Sequence, residues 1–188
     1  MFTLNLPNLL TVVRILLVPV LVVALLENTT EADLLAAVVF AVASITDVLD
    51  GYLARARNWV TTFGKLMDPV ADKLLVVAAL LALVDRHKLM AWVAMVIIAR
   101  EFAVTATRLA ATQSGVVVAA KFSGKIKTAI QVATIFLLIA VSGSRPLWLD
   151  VLVYAMVVVT VVSGVDYFFG LRRQLGQAQA RRAETARS

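Results

Sequence analysis

Six long apolar stretches, at about residues 8 to 26, 32 to 55, 65 to 84, 88 to 111, 121 to 142 and 147 to 171, constrain this chain more than anything else in it. Each is long enough to cross the roughly 30 Å hydrocarbon core of a bilayer as a helix, for which roughly 20 residues suffice. A chain of 188 residues with 61% hydrophobic content cannot hide that much apolar surface in one soluble core. The expected fold is therefore an all-α integral membrane protein of six transmembrane helices. It forms a single domain over residues 1 to 171, followed by a basic tail over residues 172 to 188. No internal repeat is visible.

The ends of the stretches carry further information. Pro7-Asn8 reads as a helix start, with Asn8 available to cap the free amides. The first stretch has neither a basic leader nor a small-residue cleavage site, so it is read as a spanning helix rather than a cleaved signal. Arg55, Arg57 and Lys65 flank the second connection, and Arg108, Lys121, Lys125 and Lys127 flank the fourth, against Arg86, Lys88 and Arg145 on the opposite side. The positive-inside rule then puts both termini and the second and fourth connections in the cytoplasm.

The formal charge is +6, much of it in Arg172, Arg173, Arg181, Arg182 and Arg187. Basic charge beside a membrane favours anionic lipid, and no nucleic-acid partner is expected. The same tail also reads as a solvated, partly disordered end that only obeys the orientation rule. The absence of cysteine removes disulfides, thiolate metal sites and cysteine nucleophiles.

Ionisable residues interrupt the apolar stretches, where facing lipid would be costly, so they must face something polar. The densest group is Asp47, Asp50, Asp68 and Asp72. At helical spacing Asp47, Asp50, Gly51 and Ala54 share one face, and Gly64, Asp68 and Asp72 share one face of the next helix. A short connection can bring the two faces together. Two carboxylates about 4 Å apart repel by about 4 kcal/mol at an effective dielectric of about 20, so four of them need protons or cations. With no histidine or cysteine nearby, magnesium or manganese suits the group better than zinc. Gly51, Ala54 and Gly64 leave room for a ligand near the backbone or for close helix packing, and Arg55 adds a cation where a phosphate would sit.

The run from Asp47 to Asp72 reads D-x2-D-G-x2-A-R-x8-G-x3-D-x3-D, and every fixed position resembles the signature of the CDP-alcohol phosphotransferase family. The resemblance implies a pair of divalent ions, Mg2+ or Mn2+, on Asp47, Asp50 and Asp68. Asp72 would complete that site and take the proton from the attacking hydroxyl. It further implies that Gly51, Arg55 and Thr61 hold the CDP moiety, that Ala54 and Gly64 line its pocket, and that Asn8 and Thr11 contribute from the first helix. The implied reaction moves a phosphatidyl group from CDP-diacylglycerol to an alcohol and releases CMP. It would be carried out by a homodimer in a bacterial-type inner membrane with the site facing the cytoplasm.

A second polar cluster comprises Arg100, Glu101, Arg108, Lys121, Lys125 and Lys127. Several cations at one membrane depth suit a phosphorylated alcohol, and Arg100, Arg108, Lys125 and Lys127 are the candidates for its phosphate. They also fit the orientation rule, snorkelling to headgroups, or an Arg100–Glu101 pair. Arg100 to Arg108, Gly124-Lys125-x-Lys127-Thr128-x2-Gln131, Asn5-Leu6-Pro7-Asn8-x2-Thr11-x2-Arg14 and Ser163-Gly164-Val165-Asp166-Tyr167 resemble one branch of the family, the phosphatidylglycerophosphate synthases. That branch implies glycerol 3-phosphate as acceptor. Sibling enzymes using phosphatidylglycerol or inositol phosphate, a divalent-cation transporter and a membrane scaffold are the other readings.

Overall fold

Backbone amides find no partner in hydrocarbon, so a chain this apolar satisfies them within helices. The computed structural model describes residues 6–27, 29–56, 62–113, 122–143 and 146–185. Over these residues the chain forms six helices: α1 (Leu6–Leu26), α2 (Thr30–Ala56), α3 (Thr62–Asp85), α4 (Ala91–Gln113), α5 (Phe122–Ala140) and α6 (Leu147–Thr185). They match the six apolar stretches in number and order.

Three ends differ from expectation, each for a local reason. α1 already begins at Leu6, which places Asn8 inside its first turn rather than at the cap. Pro7 is tolerated there because first-turn amides have no intrahelical acceptor. α4 begins at Ala91 rather than at residue 88, because the end of α3 is closed by a turn. His87 takes a φ of 55°, its amide bonds the Val84 carbonyl at 3.0 Å, and the Lys88 amide bonds the Leu83 carbonyl at 2.9 Å. This pattern consumes the carbonyls that a helix end leaves over. α6 continues unbroken past residue 171 to Thr185, so the basic tail starts as helix. Its alanines, glutamines and arginines are good helix formers and no proline interrupts them.

α1 packs on α2 and α3, α6 packs on α4 and α5, and contacts of α2 with α5 and of α3 with α4 and α5 join the two groups. Leu21, Leu25, Phe40, Leu80, Leu83, Ile97, Ile135 and Leu149 are buried in the shared core. Ala36, Ala43 and Ala79 let helix backbones approach closely there. Outward-facing Leu16, Leu34, Met95, Val151 and Val158 are each more than half exposed, an apolar exterior that suits lipid. By length and composition, α1 over Leu9–Leu26 and α6 over Leu147–Arg173 qualify as membrane-crossing segments. The described parts of α2 to α5 fall short of that measure.

One end of the bundle is tied by a buried carboxylate. Asp33, in the first turn of α2, accepts from the Arg86 guanidinium, from Lys88 Nζ at 3.1 Å and from Ser142 Oγ at 3.2 Å. Lys88 Nζ also donates to the Val141 carbonyl at 3.2 Å. The start of α2, the turn after α3 and the end of α5 are thereby held together, and the candidate site lies at the other end.

Candidate active site

The site is organised by a cation on α1. Arg14 is fully buried, and its Nη1 lies 2.8 Å from Asp47 Oδ1 on α2 and 3.0 Å from Asp72 Oδ1 on α3. A guanidinium taken out of water is stable only where carboxylates meet it, so these contacts fix where the three helices cross. Thr11, three residues earlier on the same face of α1, is 1% exposed. The two carboxylates stay open on their other side, with side-chain exposures of 35% for Asp47 and 44% for Asp72.

They open into a cavity of about 970 Å³ walled by α2 to α6. Asp47 and Asp72 form its acidic side, and Lys73, Arg100, Arg108 and Lys127 bring positive charge to the same space. Phe40, Leu75, Val132 and Phe136 give it an apolar end. Arg100 Nη2 donates to Ser163 Oγ on α6 at 3.1 Å. The Arg108 guanidinium carbon sits 5.7 Å from the centre of the Tyr167 ring, within cation–π range. Lys127, 3% exposed, pairs with Glu101, whose Oε1 also lies 3.8 Å from Arg100 Nη1. Arg100 Nε, Gln131 Oε1 and the Tyr167 hydroxyl are buried in this wall with no hydrogen-bond partner among the described residues. Buried polar atoms left unpaired are costly, so a water, an ion or a bound ligand group is needed to satisfy them.

Of the residues expected from sequence, Asp47 and Asp72 are brought together, and Arg100, Arg108 and Lys127 line the same cavity. Lys127 comes with a carboxylate partner in Glu101 that the sequence did not assign to it. Asp50 and Asp68 occupy helical positions three residues after Asp47 and four before Asp72. Their side chains lie outside the described residues, as do those of Asn8, Gly51, Ala54, Arg55, Gly64 and Lys125, while Thr61 lies outside them altogether. Sequence reasoning quoted Arg14, Gln131, Ser163, Asp166 and Tyr167 only as motif positions of the branch, with no role at the site, and did not single out Lys73. Arg14 did leave a signal, since a charge inside an apolar stretch demands a partner.

Among the described residues no group of three or more histidine, aspartate or glutamate side chains could hold a metal. The donors that do converge are carboxylate oxygens, and the one histidine, His87, is at the far end of α3. That chemistry fits a hard divalent cation.

The family model described as CDP-alcohol phosphatidyltransferase matches residues 4–164. The chain belongs to the CDP-alcohol phosphotransferase family. It is 43% identical to a Bacillus subtilis protein named CDP-diacylglycerol–glycerol-3-phosphate 3-phosphatidyltransferase, over 87% of this chain and 93% of that one. A Rickettsia felis protein of the same name is 38% identical with the same coverage. A Mycobacterium tuberculosis protein named probable phosphatidylglycerophosphate synthase is 39% identical, over 92% of this chain and 84% of that one. The six helices are therefore those of a membrane-associated enzyme fold. The matched region takes in Arg14, the aspartates, the cationic wall and Ser163.

Proposed function

We propose that this enzyme transfers the phosphatidyl group of CDP-diacylglycerol to glycerol 3-phosphate, giving phosphatidylglycerophosphate and CMP. The observation that carries the reading is one cavity holding the Asp47–Asp72 pair on one side and Arg100 and Arg108 on another, in a chain of this family. The similar proteins named for this reaction support the same acceptor.

Asp47, Asp50, Asp68 and Asp72 would hold divalent cation, two ions of Mg2+ with Mn2+ as a substitute. When bound, it supplies the positive charge that neutralises the pyrophosphate oxygens and eases CMP departure. The chain's own groups do the rest. Asn8, Thr11, Gly51, Ala54, Arg55, Thr61 and Gly64 form the CDP subsite. Arg100 and Arg108 take the acceptor phosphate through charge-assisted hydrogen bonds, with Lys125 and Lys127 adding positive charge. Gln131 Oε1, buried and with no donor among the described residues, suits a hydroxyl of the glycerol backbone. Asp72 accepts the proton of the attacking hydroxyl. That oxygen bonds to the phosphatidyl phosphorus as the anhydride P–O bond breaks, and CMP leaves with the bonding electrons. Arg14 holds the Asp72 carboxylate in place from below.

In this reading all six helices span the bacterial inner membrane as one domain over residues 1–171, in a homodimer. Both termini, the tail from residue 172 and the cavity mouth face the cytoplasm. Asp47, Asp72, Lys73, Arg100, Glu101, Arg108 and Lys127 line the cavity rather than face lipid, which reconciles spanning with the modest apolarity of α2 to α5.

The test is CMP release by purified protein supplied with CDP-diacylglycerol and, separately, glycerol 3-phosphate, phosphatidylglycerol or inositol phosphate. Release with glycerol 3-phosphate alone is expected. Release only with another acceptor overturns the acceptor, and absence of any magnesium-dependent thermal protection by CMP overturns the enzyme reading itself.

A further inference from the structure

Three consecutive features of α6 act on the two arginines of the cavity. Ser163 Oγ donates its own proton to the Thr160 carbonyl at 3.0 Å, which leaves a lone pair facing Arg100 Nη2 at 3.1 Å. Gly164 gives the Arg100 stem room, since a Cβ built there would come within 3.2 Å of Arg100 Cγ. Tyr167, one turn after Ser163, sets its ring beside the Arg108 guanidinium. Ser163, Gly164 and Tyr167 thus share one face of α6, against two cations placed eight residues apart on α4. Both Ser163 and Tyr167 also line the cavity.

From this geometry we infer that the Ser163–Gly164–Tyr167 face of α6 is the positioning element that aims Arg100 and Arg108 at the acceptor phosphate and so sets affinity for that substrate. The inference rests on the acceptor-site reading above. An arginine side chain has several rotatable bonds, and two on one cavity wall repel each other. A bidentate hold on a phosphate needs both guanidinium planes fixed beforehand, because ordering them on binding would cost affinity. A lone pair fixes the first plane and a ring face fixes the second. α6 packs on α4 and α5, so these contacts act directly on the α4 arginines and meet Asp47 and Asp72 only across the shared cavity.

Steady-state kinetics on Ser163→Ala, Tyr167→Phe and Tyr167→Leu in the full-length protein test this. Ser163→Ala removes the acceptor facing a charged donor and is expected to raise KM for glycerol 3-phosphate about tenfold. Tyr167→Leu is expected to raise it about fivefold more than Tyr167→Phe, because only phenylalanine keeps the π face, so the gap between the two reads the ring alone. Across the series KM for CDP-diacylglycerol should stay within about twofold, which also reports intact folding. Equal effects of Tyr167→Phe and Tyr167→Leu, or a parallel rise in both KM values, overturn the positioning role. If the wild-type protein uses another phosphorylated alcohol and the variants raise that KM instead, the positioning role stands and only the choice of glycerol 3-phosphate falls.

Discussion

Arg14 is the residue whose importance was hardest to read and whose removal should be easiest to see. In the sequence it is one cation in an apolar stretch, and nothing in that stretch says which way it points. In the fold its partners are 33 and 58 positions away, on two other helices. Replacing it by glutamine leaves the Asp47 and Asp72 carboxylates opposed without a cation between them. The melting temperature of Arg14→Gln is expected to fall by about 5 °C in chelator, a loss of about 2 kcal/mol, and by less in excess Mg2+. Equal losses in both conditions would mean that the arginine does not balance the carboxylates. Asp72→Asn tests the next step. It keeps the shape of the side chain but cannot take a proton, so turnover should vanish while the protein stays folded, with Asp47 still paired to Arg14. Normal activity in this variant would exclude Asp72 as the base. Asp47 and Asp72 themselves were legible, because their helical spacing puts them on faces that one short connection can join.

At the scale of the helices, most of the pattern was visible beforehand. All six helices coincide with the runs of apolar residues visible in the sequence. What sequence could not supply was pairing between elements. Arg86 and Lys88 were counted as positive charges of one membrane face, whereas both are bound to Asp33, more than 50 residues upstream. The Asp33 side chain is 5% exposed, so Asp33→Asn strands two cations around a neutral amide. This variant is expected to lose about 3 kcal/mol, near the lower figure for breaking a buried pair, with KM for both substrates unchanged. Calorimetry or a thermal melt gives the loss, and kinetics at permissive temperature checks the second half. The role of α6 was equally hidden, since Ser163 and Tyr167 carry no charge and their use depends on a crossing with α4. The beginning of α4 was misread because a histidine, rather than a glycine, takes the left-handed position that ends α3.

For the whole molecule the two ends of the bundle contrast. One is closed by Asp33 and its three donors, and the other gathers aspartates and arginines around a cavity. Orientation can be checked directly, because the chain has no cysteine of its own. A single cysteine introduced at residue 142 should react with an impermeant maleimide in intact cells, and one at residue 173 only after the membrane is opened. The reverse pattern would invert the proposed topology. The sequence's apolar stretches do surface as outward-facing side chains such as Leu16, Met95 and Val158, while only α1 and α6 meet the length and apolarity of a membrane-crossing segment among the described residues. The cavity was legible only as a guess about charge, because its wall is assembled from five helices that meet far apart in the chain.

The last helix has a plain geometric consequence. At about 1.5 Å per residue its 39 residues make a rod of about 58 Å, nearly twice the thickness of the oily layer it crosses. Its apolar window stops at Arg173, so in the proposed topology the stretch from 174 to 185 would reach about 18 Å beyond the headgroups as a mast.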